Sequence, residues 1–142
     1  MATTSTARTH WQGSLMEGSG TTELATSGAA SFDVTWKARA EAGSGTTNPE
    51  ELLGAALATC YSMALSHALS GAGTPPTSLD TTVDVTFVPG TGITGAVIKV
   101  TGVVPGIDTA AFTQFAEDTK KNCPVSAALT GIEKTLEGSF QG

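Results

Sequence analysis

Two cysteines, Cys60 and Cys123, are the side chains of this chain best suited to nucleophilic or redox chemistry. They are its only cysteines, and 63 positions separate them. Residues Met1–Gly13 are polar and lack the apolar segment of a signal peptide, so we expect a cytoplasmic protein. A cysteine pair in that compartment is more often redox-active, metal-binding or simply packed than part of a structural disulfide framework. Which of these roles applies is the first question that the sequence poses.

The surroundings of the two cysteines differ. Cys60 lies among alanines and leucines in a predicted helix, and this setting alone is more typical of a packed small residue than of a nucleophile. Cys123 directly precedes Pro124, the expected first residue of a helix, where the helix dipole favours a thiolate. An equally simple interpretation is that Cys123 is only a poor N-cap. Local sequence therefore leaves both roles open.

One arginine and one glutamate are candidates for polar partners. Arg39 and Arg8 are the only arginines, and Arg39 falls on the polar face of a predicted strand, where a solvated cation is the default. Glu50 follows an Asn-Pro pair in the first turn of a predicted helix, where acidic residues are generally favoured. Glu51 suffices for a capping box with Asn48, so Glu50 is available for another task.

The histidines give little support for hydrolytic or metal chemistry. His67 follows Cys60 by seven residues, which places it on the same helical face but about 10 Å further along, too far for a direct Cys–His couple. A Cys2His2 zinc site assembled from Cys60, Cys123, His10 and His67 lacks the close ligand spacing of structural zinc. We expect no metal and no cofactor.

The overall charge and hydropathy exclude two further classes. Seven basic residues against thirteen acidic ones give a net charge of −6, and nucleic-acid binding requires clustered Lys and Arg. The segment Leu52–Ala72 contains no charged residue and is long enough to span a bilayer. Its Ser, Thr and His residues and the absence of aromatic or basic flanks favour a helix buried on nearly all sides of a protein core.

The predicted elements follow the order strands, long helix, hairpin, helix, strand. Apolar and polar residues alternate from Phe32 to Arg39, as in a half-buried strand. The long helix begins at Asn48-Pro49 and ends near Leu69, before Gly71. Because the strands are segregated from the helices, the predicted class is α+β, in a single domain over residues 1–142 with residues 1–6 as a disordered tail.

The second half of the chain contributes the hairpin and the segment that carries Cys123. A turn at Pro89–Gly92 joins two strands, and the second strand reaches Val104. Asp108 caps a helix that ends near Asn122, a short helix runs from Pro124 to Leu129, and a last strand reaches Phe140.

Several motifs together resemble one protein family. Thr47–Ala56 (TNPEELLGAA) and Ala58–Leu65 (ATCYSMAL) resemble the first signature of the osmotically inducible protein C and organic hydroperoxide resistance (OsmC/Ohr) family, and Asn122–Ser126 (NCPVS) resembles the second. The segments His10–Gly13 and Pro105–Asp108 also match the family, so the resemblance covers nearly the whole chain. Arg39 lies shortly before the Asn-Pro pair, and this position is similar to that of the arginine in the OsmC branch of the family.

The resemblance implies a thiol peroxidase that reduces organic hydroperoxides. It implies antiparallel sheets around a long central helix, an intertwined homodimer, and sites at the subunit interface. Cys60 would attack the peroxide, and Cys123 would then react with the Cys60 sulfenic acid to form a disulfide. An external dithiol would reduce this disulfide, and a lipoyl-type dithiol is one candidate. Arg39 and Glu50 match the arginine and glutamate that accompany the thiolate.

Two other functions remain as alternatives at the level of sequence. The first is a cysteine hydrolase that uses Cys60 with His67. The second is a non-catalytic module that binds a small apolar ligand or a partner and keeps its cysteines as packing residues.

Overall fold

The computed structural model describes residues 1–41 and 43–141, and the chain divides into two compact units, Met1–Pro49 and Glu50–Gly142. The first unit is a three-stranded antiparallel sheet and a short helix. Its strands β1 (Arg8–Gln12), β2 (Ser19–Glu23) and β3 (Ser31–Val34) pair in sequence order. Thr6 is also hydrogen-bonded, because its carbonyl accepts from the backbone N–H groups of Ala25 and Thr26.

A short helix, α1 (Trp36–Ala40), replaces the second half of the predicted strand. The side chain of Thr35 accepts a hydrogen bond from the N–H of Ala38 at 3.2 Å, which is the N-cap contact that opens a helix. The prediction of a strand from Phe32 to Arg39 is therefore wrong beyond Val34. Arg39 lies in the last turn of α1 together with Lys37, not on the polar face of a strand.

The long helix α2 (Pro49–Gly71) begins at the predicted proline and ends at the predicted glycine. Its buried residues recur every three or four positions and form one stripe: Glu50, Gly54, Leu57, Tyr61, Leu65 and Leu69. The remaining faces are partly or fully exposed in the single chain, and 69% of Met63 is accessible. The prediction of a helix buried on nearly all sides is thus wrong for the isolated chain.

By length and composition α2 is apolar enough to cross a membrane. Its buried stripe nevertheless packs into the core of the second unit, together with residues of β5 and α3. Alanine residues outside the buried stripe add to its hydropathy. α2 is therefore the core helix of the second unit.

The second unit contains a mixed sheet with the order β4-β5-β6. β4 (Ser78–Val88) and β5 (Gly92–Val103) form the predicted antiparallel hairpin. β6 (Glu133–Gln141) pairs with β5 in parallel. The prediction of antiparallel sheets is wrong at this pair, because the helical crossover between β5 and β6 returns the chain in its original direction.

The crossover consists of α3 (Thr109–Asn122) and α4 (Pro124–Ala128), with Cys123 between them. Asp108 caps α3 as predicted, since its carboxylate accepts from the N–H of Ala111 at 2.8 Å. The ring of Phe112 lies where a side chain at Gly102 would project, so α3 packs directly on the backbone of β5. The α+β class and the long central helix are confirmed.

Candidate active site

The fold brings the two cysteines together. The Sγ atoms of Cys60 and Cys123 lie 3.1 Å apart, and both thiols are free. Cys60 occupies the middle of α2 and is partly exposed, whereas Cys123 joins α3 to α4 and is fully buried. A disulfide has an S–S distance of about 2.05 Å, so the two sulfurs need to approach by only about 1 Å to bond.

Main-chain hydrogen bonds hold Cys123 from both sides. Its N–H donates to the carbonyl of Thr119 at 2.9 Å, which closes α3. Its own carbonyl accepts from the N–H of Ala127 at 2.9 Å, which opens α4. The hydroxyl of Ser126, itself buried, donates to the carbonyl of Lys120 and spans the junction. The position of the Cys123 sulfur is therefore set by two helix ends, and a helix end is a more rigid support than a loop.

Tyr61 connects α3 to the helix that carries Cys60 through a hydrogen bond. Its hydroxyl donates to the carbonyl of Ala116 in α3 at 2.9 Å, and its side chain is fully buried. Burial also raises the pKa of Tyr61, with a smaller contribution from the negative charge of Glu117. The hydroxyl therefore stays protonated and acts as a donor throughout the neutral range.

Burial raises the pKa of Cys123 above its usual value. The backbone N–H groups of Ser126 and Val125 act in the opposite direction, and the neighbouring Cys60 raises the pKa further. The N-terminus of α4 thus favours the thiolate as predicted, but desolvation of the sulfur outweighs it. Cys123 is the donor in the hydrogen bond to the sulfur of Cys60.

Glu50 and Arg39 lie in separate compact units. Glu50 is 5% exposed and begins the buried stripe of α2, ten residues before Cys60. Arg39 is partly buried in α1 of the first unit. The other arginine, Arg8, is exposed on β1 and pairs with Glu23 on β2 at 3.6 Å. A buried carboxylate requires charged or hydrogen-bonding compensation, so Glu50 has the environment of a residue with a specific function.

The histidine of the hydrolase alternative lines a groove that does not include the cysteine pair. His67 is exposed and lines a groove of about 570 Å³ between α2 and the segment Pro76–Leu79. Cys60 is not part of that groove, and its sulfur contacts the sulfur of Cys123. The hydrolase interpretation is wrong. Within residues 1–41 and 43–141, no three His, Cys, Asp or Glu side chains are close enough to hold a metal ion.

Two contributors to the site were missed at the level of sequence, Tyr61 and Ser126. Tyr61 is the only tyrosine and directly follows Cys60, and this adjacency was an available signal. Ser126 follows Cys123 by three residues, the spacing across the first turn of a helix. Leu57 and Phe112, by contrast, are fully buried in the core and are not accessible to a substrate.

The chain is similar to proteins of known name. A family model described as OsmC-like protein matches residues 41–137. Peroxiredoxin OsmC of Escherichia coli (strain K12) is 42% identical over 131 residues, which cover 90% of each chain. Among solved structures, the organic hydroperoxide resistance protein OsmC of Legionella pneumophila has a TM-score of 0.70 at 22% identity over 98% of both chains. The OsmC like protein of Mycoplasma pneumoniae has a TM-score of 0.75 at 14% identity over all of both chains.

The adjacent thiols and the peroxiredoxin relatives together define the class, a cysteine-based, thiol-dependent peroxidase. An enzyme of this class reduces a hydroperoxide at the expense of a reductant. The chain belongs to the OsmC-like protein family, since the matched segment and the overall identity to Peroxiredoxin OsmC span most of its length. The alternative of a non-catalytic binding module is therefore wrong.

Proposed function

We propose that this peroxidase reduces organic hydroperoxides to alcohols, with Cys60 as the attacking thiolate and Cys123 as the resolving thiol. The observation that carries the proposal is the 3.1 Å separation of the two sulfurs. Their exposure supports this division of labour, because Cys60 is partly accessible to a substrate and Cys123 is fully buried. The fully buried sulfur can react only with a group that is already beside it.

The proposed cycle has three steps. The Cys60 thiolate takes the terminal oxygen of the hydroperoxide, the O–O bond breaks, and the alkoxide is protonated to the alcohol. The resulting Cys60 sulfenic acid condenses with the Cys123 thiol to give a disulfide and water. An external dithiol then reduces the disulfide by two exchange steps.

Arg39 and Glu50 are proposed to stabilise the first step. Peroxide cleavage needs a thiolate, and a thiolate on an apolar helix requires a positive charge or a hydrogen-bond donor to stabilise it. A guanidinium remains charged at every relevant pH and presents forked donors, so it suits a thiolate and a peroxide oxygen together. A carboxylate such as that of Glu50 holds a guanidinium in one orientation through paired hydrogen bonds. The burial of Glu50 supports its assignment.

We expect organic hydroperoxides such as cumene hydroperoxide to be reduced with a kcat/KM at least about tenfold higher than hydrogen peroxide. Ala56 and Leu53 precede Cys60 by four and seven residues, so they lie on its helical face. Burying a methylene group contributes about 0.8 kcal/mol, and two of them suffice for a tenfold preference. Steady-state kinetics with both peroxides measure the ratio.

A matched pair of variants locates the source of this preference. Ala56→Ser is expected to lower the ratio several-fold, because a hydroxyl then faces the substrate. Ala55→Ser changes a neighbouring exposed alanine that points away from the face of Cys60, and it is expected to leave the ratio unchanged. Equal efficiency of the wild type with both peroxides would contradict an organic substrate.

The reductant is proposed to be a dithiol of lipoyl type in the cytoplasm. An intramolecular disulfide is released most directly by a dithiol, because its second thiol resolves the mixed disulfide within the same molecule. The test supplies dihydrolipoamide, thioredoxin or glutathione at equal thiol concentration and follows peroxide consumption. Turnover with glutathione alone would contradict this assignment and leave the peroxidase chemistry intact.

The functional unit is proposed to be a homodimer of single-domain subunits, each spanning residues 1–142, with each site built from both chains. Glu50 and Cys60 lie ten residues apart on α2, about 15 Å along the helix axis. Helical side chains lean toward the N-terminus, so Glu50 points away from the Cys60 of its own chain. The exposed residues Ala56 and Met63 of α2 support contact with a second copy.

Subunit complementation tests the shared site. We expect inactive Cys60→Ser and Glu50→Gln subunits, mixed equally and allowed to exchange, to regain about a quarter of wild-type activity. Half of the dimers are then mixed, and two-fold symmetry gives each mixed dimer one intact and one doubly altered site. Peroxide consumption before and after exchange measures the recovery, and unexchanged mixtures are the control. If mass spectrometry shows that mixed dimers form but no peroxidase activity is recovered, the shared-site proposal is contradicted.

A further inference from the structure

The hydrogen bond between the two sulfurs has a defined donor and acceptor. Cys123 donates to Cys60 across 3.1 Å. Its sulfur is fully buried, whereas Cys60 is partly exposed. Because a charge is more costly to bury than a neutral thiol, burial favours the protonated form of Cys123. The buried thiol is therefore placed to donate to the more exposed sulfur of Cys60.

We propose that Cys123 acts in both half-reactions: its thiol donates the hydrogen bond that stabilises the Cys60 thiolate, and after Cys60 is oxidised the same sulfur becomes the nucleophile. This inference rests on the peroxidase function proposed above and adds a role for Cys123 before any disulfide forms. In the first half-reaction Cys123 is a catalytic residue, because it touches the reacting sulfur atom.

Oxidation of Cys60 supplies the switch between the two roles. The negative charge on Cys60 holds the proton on Cys123, since that charge and the hydrogen bond favour the neutral thiol. A sulfenic acid is neutral, so its formation removes both effects. The N–H groups of Ser126 and Val125 remain directed at the Cys123 sulfur and favour its thiolate. The main chain on each side is fixed by the bonds to Thr119 and Ala127, so no rearrangement of the helices is needed.

The atoms and electrons balance without another reactant. In the first step Cys60 is oxidised, the O–O bond is reduced, and the alkoxide takes a proton from solvent. In the second step the Cys123 sulfur attacks the Cys60 sulfur, the S–O bond breaks and the S–S bond forms. The proton from Cys123 leaves with the displaced hydroxide as water.

Other ionisable groups on α2 and α3 are the same in every variant at position 123. Tyr61 in α2 keeps its proton and donates to Ala116. Glu117 in α3 forms an ion pair with Lys120 at 3.0 Å. Glu50 lies further along α2. A comparison of substitutions at position 123 alone therefore holds these influences constant.

Two matched pairs of substitutions separate donation from resolution. Cys123→Ser and Cys123→Ala both prevent disulfide formation, but only serine can donate to Cys60. Cys123→Thr and Cys123→Val form a second pair of nearly equal shape that again differs in one hydroxyl. The second pair keeps the test valid if the cavity left by alanine prevents folding. Each variant is mixed with stoichiometric cumene hydroperoxide, and the rate of Cys60 sulfenic acid formation is followed by dimedone trapping. The pH is set below the midpoint of the Cys60 thiolate absorbance at 240 nm in the serine variant.

We expect the hydroxyl member of each pair to form the sulfenic acid about tenfold faster than its apolar partner, because hydrogen bonds to charged groups are among the stronger ones. Alkylation of Cys60 by iodoacetamide should change in the same order, because it reads the thiolate population without a peroxide. Equal rates within both pairs overturn the donor role and leave the peroxidase function standing. Absence of sulfenic acid from all four variants overturns the proposed function, and the donor role with it.

Discussion

Replacement of Cys60 by serine is expected to lower peroxidase turnover by at least about 10³-fold, because a serine hydroxyl is not ionised at neutral pH and nothing at this site replaces the thiolate. Cys123→Ser is expected to behave differently. It should consume about one equivalent of hydroperoxide and then stop, with Cys60 left as a sulfenic acid. Peroxide consumption measured against enzyme concentration distinguishes loss of the first step from loss of the second.

Mass spectrometry after dimedone treatment checks this assignment. The adduct should appear on Cys60 in the Cys123→Ser variant, and no adduct should appear on Cys123 in the Cys60→Ser variant. The two substitutions are controls for each other, because the sulfurs are 3.1 Å apart and each change leaves the other thiol in place. Normal turnover by the Cys60 variant, or dimedone labelling of Cys123, would reverse the assigned roles.

The elements of this fold with strong local signals were predictable from the sequence. Pro49 and the glycines after Leu69 define the ends of α2, and Asp108 defines the start of α3, because capping residues act within a single turn. The parallel pairing of β6 with β5 was not predictable in this way. It depends on where the crossover of α3 and α4 returns the chain, and no local residue pattern encodes that path.

The short helix α1 shows how one side chain outweighs a weak pattern. Phe32, Val34, Trp36 and Ala38 alternate with polar residues, so the two-residue period typical of a strand continues past Val34. Thr35 ends it, because its hydroxyl group accepts the N–H of Ala38 and closes a helical turn. Threonine is common both in strands and at N-caps, so the alternation alone could not decide between them.

The candidate site was predictable as a set of residues but not as an arrangement. Spacing alone cannot place Cys60 beside Cys123, since 63 residues separate them and their proximity depends on packing of α2 against the α3–α4 junction. The protonation of Cys123 could not be read locally either. Pro124 indicates a helix N-terminus, which favours a thiolate. Burial has the larger effect on the pKa of Cys123, and burial depends on how the whole second unit packs.

Arg39→Ala is expected to lower kcat/KM by about 100-fold, the loss typical of a preorganised charged donor. Arg39→Lys should cost almost as much, because an ammonium group is a point charge and cannot engage a sulfur, a peroxide oxygen and a carboxylate through one planar fork. The second-order rate constant for oxidation of Cys60 under single-turnover conditions is the measurement, because it isolates the step that needs the thiolate. The rate of disulfide formation after that step should remain within about twofold of the wild type.

Lys37→Ala is the matched control for Arg39, because Lys37 is also a basic residue of the last turn of α1. It removes the same charge from the same short helix, so an effect of net charge or of helix stability would appear in both variants. We expect Cys60 of this variant to be oxidised at the wild-type rate.

Full activity of Arg39→Lys would mean that Arg39 contributes only a local positive charge. Full activity of Arg39→Ala would transfer the role to Arg8, whose pairing with Glu23 on the exposed sheet makes it the less suitable donor. A guanidinium that is already paired on an exposed surface gains little from a thiolate, since solvent screens both charges.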